Sequence, residues 1–242
     1  MQAMIFAAGL GTRLRPLTND RPKALVEIGG RTLIEHNILR LREAGFTRIV
    51  VNVHHFADQI IDFLTAHHNF DLDICVSDER ELLLDTGGGI RKALPLLTSD
   101  EPVLIHNVDI VSDIDLRGFY HSHQEGFLAT LGVNHRKTQR YLQFTSDHCL
   151  CGWQNVKTGE QKGLLGEPFA FTGIHVIDPS AFPLFAKHPE EAFPLVPFYL
   201  NLCQIHDIHC VDLTNSAWVD CGKVEALEMA KRIVESLEVR VE

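Results

Sequence analysis

A chain of 242 residues that is 45% hydrophobic suits one large domain with a full core, and its formal net charge of −10 argues against a nucleic-acid binder, which needs a basic field. No apolar run approaches the roughly eighteen residues of a membrane span. Met1 to Ala8 enters a strand-like segment at once rather than a secretory signal, so the expected compartment is the cytoplasm. The first predicted element is Met4 to Ala8, a continuous apolar run of the kind buried on both faces of a parallel sheet. Glycine turns follow it. Thr32-Leu-Ile-Glu35 reads as a capping box, and Ile34, Ile38 and Leu41 mark a helical face that stops at Gly45. Ile49 to Val53 reads as a strand, Ala57, Ile60, Ile61 and Leu64 have helical spacing, and Leu72 to Val76 is another strand. A helix over Gly89 to Leu97 precedes the buried strand Val103 to Ile105, which ends at Asn107-Val108-Asp109.

This βαβαβαβ order predicts an α/β fold, a Rossmann-like doubly wound mixed sheet. After about residue 126 the runs at 128–133, 141–144, 149–153 and 169–176 alternate between polar turns, as antiparallel hairpins forming a small added sheet. A helix over 194–202, a strand over 208–213 and a helix from Lys223 to about Leu237 complete one domain, 1–242. The six cysteines lack Cys-x-x-Cys spacing and read as ordinary buried or half-buried thiols. The fourteen histidines lack metal-ligand spacing and read as solvated or core-edge side chains.

The stretch Phe6 to Leu25 raises the functional question. A glycine turn after a buried strand points backbone N–H groups above the strand's carboxyl end, where open α/β sheets bind ligands, and phosphate suits it. Arg13, Arg15, Arg21 and Lys23 gather four of the chain's 22 Lys and Arg residues there, concentrating positive charge in an acidic protein. The third glycine of a dinucleotide fingerprint is missing, and so is P-loop spacing. Residues 9 to 23, Gly-Leu-Gly-Thr-Arg-Leu-Arg-Pro-Leu-Thr-Asn-Asp-Arg-Pro-Lys, resemble the signature of sugar-1-phosphate nucleotidyltransferases. The resemblance extends from Met4 to about Ile233, and no C-terminal β-helix domain is expected.

It implies a nucleoside triphosphate and a sugar-1-phosphate as partners, with the sugar phosphate attacking the α-phosphorus in line and pyrophosphate leaving. That nucleophile is ionised at neutral pH, so positioning and charge neutralisation replace a general base. Ala8, Gly9, Gly11, Thr12, Arg13 and Lys23 would cradle the triphosphate. Arg13 suits the leaving group by its planar fork, and Lys23 is placed near the α-phosphate and acceptor phosphate. Arg15 and Arg21 lie where the pattern is looser and stay open to the reading of solvated cations.

Such chemistry calls for Mg²⁺, which takes oxygen ligands and few protein carboxylates. Asp109 follows a buried strand, although the family's Asn-Gly-Asp is here Asn107-Val108-Asp109, and Trp218-Val-Asp220-Cys-Gly222 supplies the second aspartate of a Trp-x-Asp-x-Gly pattern. A turn or N-cap carboxylate is the competing reading for either. Asp113-Ile-Asp115 reads as the cap of a helix near Leu116.

Thr86, Gly87 and Gly88, in Asp85-Thr-Gly-Gly-Gly-Ile90, stand where the family meets the nucleobase, with Asn107 also on the nucleotide side, so 1–125 forms the nucleotide half and 126–242 the sugar half. The run to Pro95 resembles N-acetylmuramate-1-phosphate uridylyltransferases of cell-wall recycling; mannose- and heptose-1-phosphate guanylyltransferases share much of the rest. The Glu-Lys-Pro of many relatives is missing, and Gly152-Trp-Gln-Asn155 stands in that hairpin. Arg140, Asn155, Thr172 and Gly173 are the sugar-side candidates. A regulatory paralogue that binds nucleotide sugars without turnover is the alternative of another class; retention of Arg13, Lys23, Asp109 and Asp220 argues against it. The assembly expected is a monomer or homodimer.

Overall fold

In the computed structural model, which describes residues 1–238, the first apolar run forms the strand at the centre of the sheet, β1 (Gln2–Phe6). A two-residue-per-strand hairpin, β2 (Glu27–Ile28) and β3 (Arg31–Thr32), leads into α1 (Leu33–Glu43). Then follow β4 (Arg48–Val53), α2 (Ala57–Ala66), β5 (Asp73–Asp78), α3 (Asp85–Ala93), β6 (Val103–Asn107), β7 (Ile110–Ser112) and α4 (Leu116–His121). The second half comprises β8 (Ala129–Asn134), β9 (Arg140–Phe144), β10 (Leu150–Asn155), β11 (Gln161–Gly163), β12 (Glu167–Ile177), α5 (Phe182–Ala186), α6 (Leu195–Leu202), β13 (Ile208–Asp212), β14 (Trp218–Asp220) and α7 (Leu227–Glu238).

Four parallel strands run in the order β5-β4-β1-β6, so the chain winds one way from β1 and then crosses to its other side. Next to β6 lies β12, antiparallel to it, and β12 pairs antiparallel with both β8 and β9. From β9 the antiparallel extension β10-β11 continues, while β13 joins β8 in parallel. Ala3 and Ile5 face one core, under α1, α2, α4 and α7, and Met4 faces the other, under α3, α5 and α6. That double burial is why β1, β4 and β6 read as continuous apolar runs rather than alternating ones.

The N-cap half of the capping box is present: Thr32 Oγ1 accepts the Glu35 N–H at 3.3 Å, Ile34, Ile38 and Leu41 are fully buried, and Gly45 takes φ +91 just past the helix. Three expectations are corrected, and one strand pair is added. β1 ends at Phe6 rather than Ala8, because the Ala7 and Ala8 N–H groups bond to Asn52 Oδ1, at 2.7 and 3.3 Å, instead of a neighbouring strand. α3 begins at Asp85, not Gly89, and ends at Ala93, because Phe193 O accepts the Gly87 and Gly88 N–H groups of its first turn, at 2.8 and 3.3 Å. The β7–β14 pair was not foreseen, being too short for any periodicity to show. Finally, His106 and His175 are core residues rather than solvated or core-edge ones, and burial pushes their pKa values down to about 4 and about 3, so both are neutral.

Candidate active site

A cavity of about 560 Å³ opens beyond the carboxyl ends of β1, β4 and β6, where the winding of the sheet reverses. Ala8, Gly9, Lys23, Thr86, Asn107 and Asp109 line it, so six of the residues singled out in the sequence meet there. Its glycine turn is built by local chemistry. Gly11 sits at φ +64, where an L side chain is strained, and its carbonyl accepts from Leu14 N at 3.0 Å and Thr18 Oγ1 at 2.8 Å. Leu14, fully buried, anchors the turn, and the buried Pro22 leads into a short turn, Lys23–Leu25. Lys23 thereby runs back under the turn: a Cβ on Gly9 would lie 3.7 Å from its Nζ.

Lys23 Nζ donates to Asp109 Oδ2 at 2.6 Å, an ion pair largely withdrawn from solvent. The loop carrying Asp109 is held on both sides. Val108 N donates to Phe6 O at 3.1 Å, and Asn37 Nδ2, from α1, donates to Val108 O at 2.8 Å. The Val108 side chain is fully buried in the core, so the family's glycine is replaced without moving a side chain into the cavity. Asp220 pairs with Ile110 across the β7–β14 ladder, and the next residue, Cys221, donates its N–H to Asp109 O at 2.8 Å. The two aspartates are therefore neighbours in space. Asp220 Oδ1 accepts from Gly222 N at 2.7 Å, and a Cβ on Gly222 would lie 2.5 Å from Arg13 Nη2. Arg13 thus lies across the glycine that follows Asp220, while Gly11 and Thr12 support the turn behind it. Burial, together with the charges of Asp109 and Asp220, pushes the Cys221 thiol up to about 12. All six cysteines are free thiols, as expected.

At the β5 end, Glu79 is fully buried, accepts from Asn52 Nδ2 at 2.7 Å and lines the cavity; burial raises its pKa above the ordinary Glu range. Asn52 thus donates to Glu79 and accepts from Ala7 and Ala8, tying the base of the glycine turn to this carboxylate. Thr86 lines the cavity while its Oγ1 accepts from Leu195 N at 2.9 Å. Gly87 and Gly88 face away: a Cβ on Gly87 would overlap the Phe193 ring, and one on Gly88 would overlap Glu191 O. Their glycines serve close packing of α3 on segment 191–193.

At the β12 end, Gly173 has φ +82, and a Cβ there would lie 2.7 Å from Asn107 Nδ2, so only glycine lets Asn107 stand against this strand. Thr172 Oγ1 donates to Gly132 O at 2.7 Å, and Thr172 O accepts from Trp218 Nε1 at 3.0 Å. Arg140 and Asn155 are not brought to this cluster. Arg140 is exposed at the start of β9, opposite Asn155, and Asn155 Oδ1 caps the β10–β11 turn by accepting from Lys157 N at 3.0 Å. The cation that does reach the cluster is Arg136, whose guanidinium carbon lies 4.2 Å from the Trp218 ring centroid.

Arg15 is exposed, and Arg21 pairs with the exposed Asp20, as solvated cations would. Asp115 caps α4, its Oδ1 accepting from Gly118 N at 2.9 Å. Glu79, Asn52, Gly222 and Arg136 were missed in the sequence. A signal existed for one: Asn52 interrupts the apolar run Ile49-Val-Val-Asn-Val53 at a strand end. Gly222 lay inside a quoted motif but without a role.

Among the described residues no group of three or more His, Cys, Asp or Glu converges as a metal site. The adjacent pair Asp109 and Asp220 supplies oxygen donors from two carboxylates, a set that fits a hard divalent cation completing its shell with water and phosphate. Among the described residues no helix is long and apolar enough to cross a membrane.

A family model described as "Nucleotidyl transferase" matches residues 2–149. The chain is 35% identical over 237 residues to N-acetylmuramate alpha-1-phosphate uridylyltransferase of Caulobacter vibrioides, covering 93% of each chain. It is 28% identical over 241 residues to mannose-1-phosphate guanyltransferase of Aspergillus oryzae, covering 92% of this chain and 61% of that one. Among solved structures, HddC from Yersinia pseudotuberculosis complexed with GMP-PN aligns over 96% of this chain and 98% of its own, with a TM-score of 0.76 at 22% identity. A putative glucose-1-phosphate thymidylyltransferase from Bacillus anthracis reaches a TM-score of 0.80 at 15% identity, covering 96% and 95%, and both likenesses concern the fold. The glycine turn, its lysine and the two aspartates thus meet at the switch point of a matching fold, and the chain belongs to the nucleotidyl transferase family.

Proposed function

We propose that the chain transfers a uridylyl group from UTP to N-acetylmuramate α-1-phosphate, forming the nucleotide sugar and pyrophosphate. The observation that carries this reading is the Lys23–Asp109 pair at 2.6 Å, with Asp220 beside it, at the mouth of the switch-point cavity. The full-length likeness to the Caulobacter enzyme favours this acceptor and base. The base lies toward Glu79 and Thr86, and the sugar toward Thr172 and Gly173, with Asn107 between.

The acceptor phosphate oxygen attacks the α-phosphorus in line, so the protein's contribution is alignment and charge. Arg13, poised over Gly222, binds the leaving pyrophosphate through its fork. Lys23 neutralises the α-phosphoryl oxygens and draws the acceptor phosphate into line. Asp109 and Asp220 would hold Mg²⁺, which when bound supplies charge neutralisation at the phosphate oxygens. The buried pair Glu79–Asn52 keeps the Ala7–Ala8 backbone in register beneath the triphosphate.

Guanylyl transfer to mannose- or heptose-1-phosphate is the second reading, favoured by the 28% identity to a guanyltransferase over nearly the whole chain. A matrix of UTP, GTP, CTP and dTTP against sugar-1-phosphates, read as pyrophosphate release with Mg²⁺, separates them. UTP with N-acetylmuramate 1-phosphate is expected to give the highest kcat/KM. Release only with GTP and a neutral hexose or heptose phosphate would overturn the base and sugar assignment, and release with no pair would overturn the reaction.

A further inference from the structure

Arg136 is a half-buried cation. Among the described residues no Asp or Glu lies within ion-pair distance of it, yet its guanidinium is fixed from three sides. Nη1 donates to Asn134 Oδ1 at 3.1 Å, Nη2 donates to Phe171 O at 2.9 Å, and the plane lies over Trp218. Asp220 and the Tyr141 hydroxyl are the other ionisable groups that act on it, and desolvation outweighs their attraction, pulling its pKa below the usual arginine range. Holding a guanidinium this way leaves its other N–H groups pre-oriented and poorly hydrated, the condition in which an incoming anion gains most.

The position of Arg136 indicates which anion. Trp218, on which it stacks, donates to Thr172 O, and Thr172 precedes Gly173, which stands against Asn107 in the cavity wall. Arg136 therefore belongs to the β12 side. Glu79 lies just past β5, four strand spacings away, a span of about 19 Å. A nucleotide lying along that span, base toward β5, puts its phosphates over β1 and β6, where Lys23 and Asp109 already supply charge. Arg136, bonded to Phe171 O on β12, would then be on the side of the sugar. N-acetylmuramate differs from N-acetylglucosamine by a lactyl ether that ends in a carboxylate, a planar anion suited to a guanidinium fork.

We infer that Arg136, braced by Trp218 and Asn134, is the specificity residue for an acidic acceptor, pairing with a carboxylate carried on the sugar. This inference rests on the acceptor class proposed above. The test compares N-acetylmuramate 1-phosphate with N-acetylglucosamine 1-phosphate, in the wild type, Arg136→Gln and Arg136→Lys, using each of the four triphosphates with Mg²⁺. Removing a charge-assisted fork is expected to lower kcat/KM for the muramate acceptor roughly ten- to a hundredfold, mainly through its KM. Turnover of the neutral acceptor should stay within about twofold, and Arg136→Lys should recover part of the discrimination because it keeps the charge but not the fork. Thermal melting checks that both variants fold; a purely structural role would lower both acceptors together and leave their ratio unchanged.

Equal losses on both acceptors would overturn the inference in favour of contact with the shared phosphate, leaving the proposed function standing. Unchanged kinetics in both variants would also overturn the inference alone. If the wild type turns over no muramate acceptor with any triphosphate, the proposed acceptor falls and the inference with it. Preference for GTP over UTP with the Arg136 effect intact would overturn only the base.

Discussion

Replacing Lys23 by Met removes the cation that stands 2.6 Å from Asp109 Oδ2, with the two side chains only 15% and 10% exposed. At that separation and an effective dielectric of about 20 the attraction is about 6 kcal/mol, and desolvation of both groups offsets most of it. Taking away one partner does not reverse that desolvation. Asp109 is left as a nearly buried carboxylate beside Asp220, at a cost of about 3 kcal/mol, the low end for a broken buried pair because the cavity admits water. Asp109→Asn strands Lys23 in the same way. The double variant leaves neither charge unmatched, so it should be more stable than the sum of the single losses predicts, with a coupling of about 2 kcal/mol. Urea denaturation of the four proteins at pH 7 measures this cycle. In the pyrophosphate-release assay each single variant should lose at least about a hundredfold in kcat, or roughly 2.7 kcal/mol of transition-state stabilisation. Stabilities that add within about 0.5 kcal/mol, or a Lys23→Met kcat within about tenfold of wild type, would refute the reasoning.

Gly222→Ala places a methyl 2.5 Å from Arg13 Nη2 and 2.8 Å from Asp220 Oδ1, and because Arg13 is exposed its guanidinium should swing away at little cost to folding while the Asp220 carboxylate also shifts. We expect kcat to fall about tenfold or more with an unchanged melting temperature, approaching the Arg13→Ala value; wild-type kinetics would detach Arg13 from this position. Gly87→Ala drives a methyl into the Phe193 ring and should destabilise by about 1–3 kcal/mol through overpacking of α3; a neutral melting shift would contradict the packing role. Two opposed pH effects follow from buried groups. His106 and His175 bind protons more readily unfolded, so stability should fall as pH drops from about 6.5 toward 4, with a slope approaching about 2.7 kcal/mol per pH unit for two protons. His175→Phe should halve that slope in pH-dependent urea denaturation. Glu79 binds its proton more tightly when folded, so its contribution is greatest below the ordinary Glu value and is lost as pH rises through its raised folded value. Glu79→Gln should remove this loss, and an unaltered pH profile in that variant would deny Glu79 its buried ionisation.

Much of the framework was legible in the sequence because it is written in short windows. The cap between Thr32 and the Glu35 N–H closes within one helical turn. The apolar runs of β1, β4 and β6 declare their double burial without any neighbour being known. Residues 9 to 23 carry their own turn chemistry, with Gly11 at positive φ and Pro22 introducing Lys23. Where reading failed, a distant segment had overridden local preference. Three glycines look like the loop before a helix, yet Gly87 to Gly89 are inside α3, because segment 191–193 packs too closely for a side chain at Gly87 and Gly88, and Glu79 and Asn52 crowd Gly89. Arg140, expected as a sugar-side residue, stands at the start of β9, which presents it to solvent.

By itself, then, the sequence determined most of the elements, the glycine turn with its lysine and the two candidate aspartates, since period, capping and turn chemistry act between residues a few positions apart. Only the tertiary structure decided which of these meet. Asp220 stands beside Asp109 because β14 pairs with β7, and Arg136 reaches Trp218 because β12 bridges the two regions of the sheet. Those contacts depend on strand order and register, which are set by burial across the whole sheet rather than by any local window.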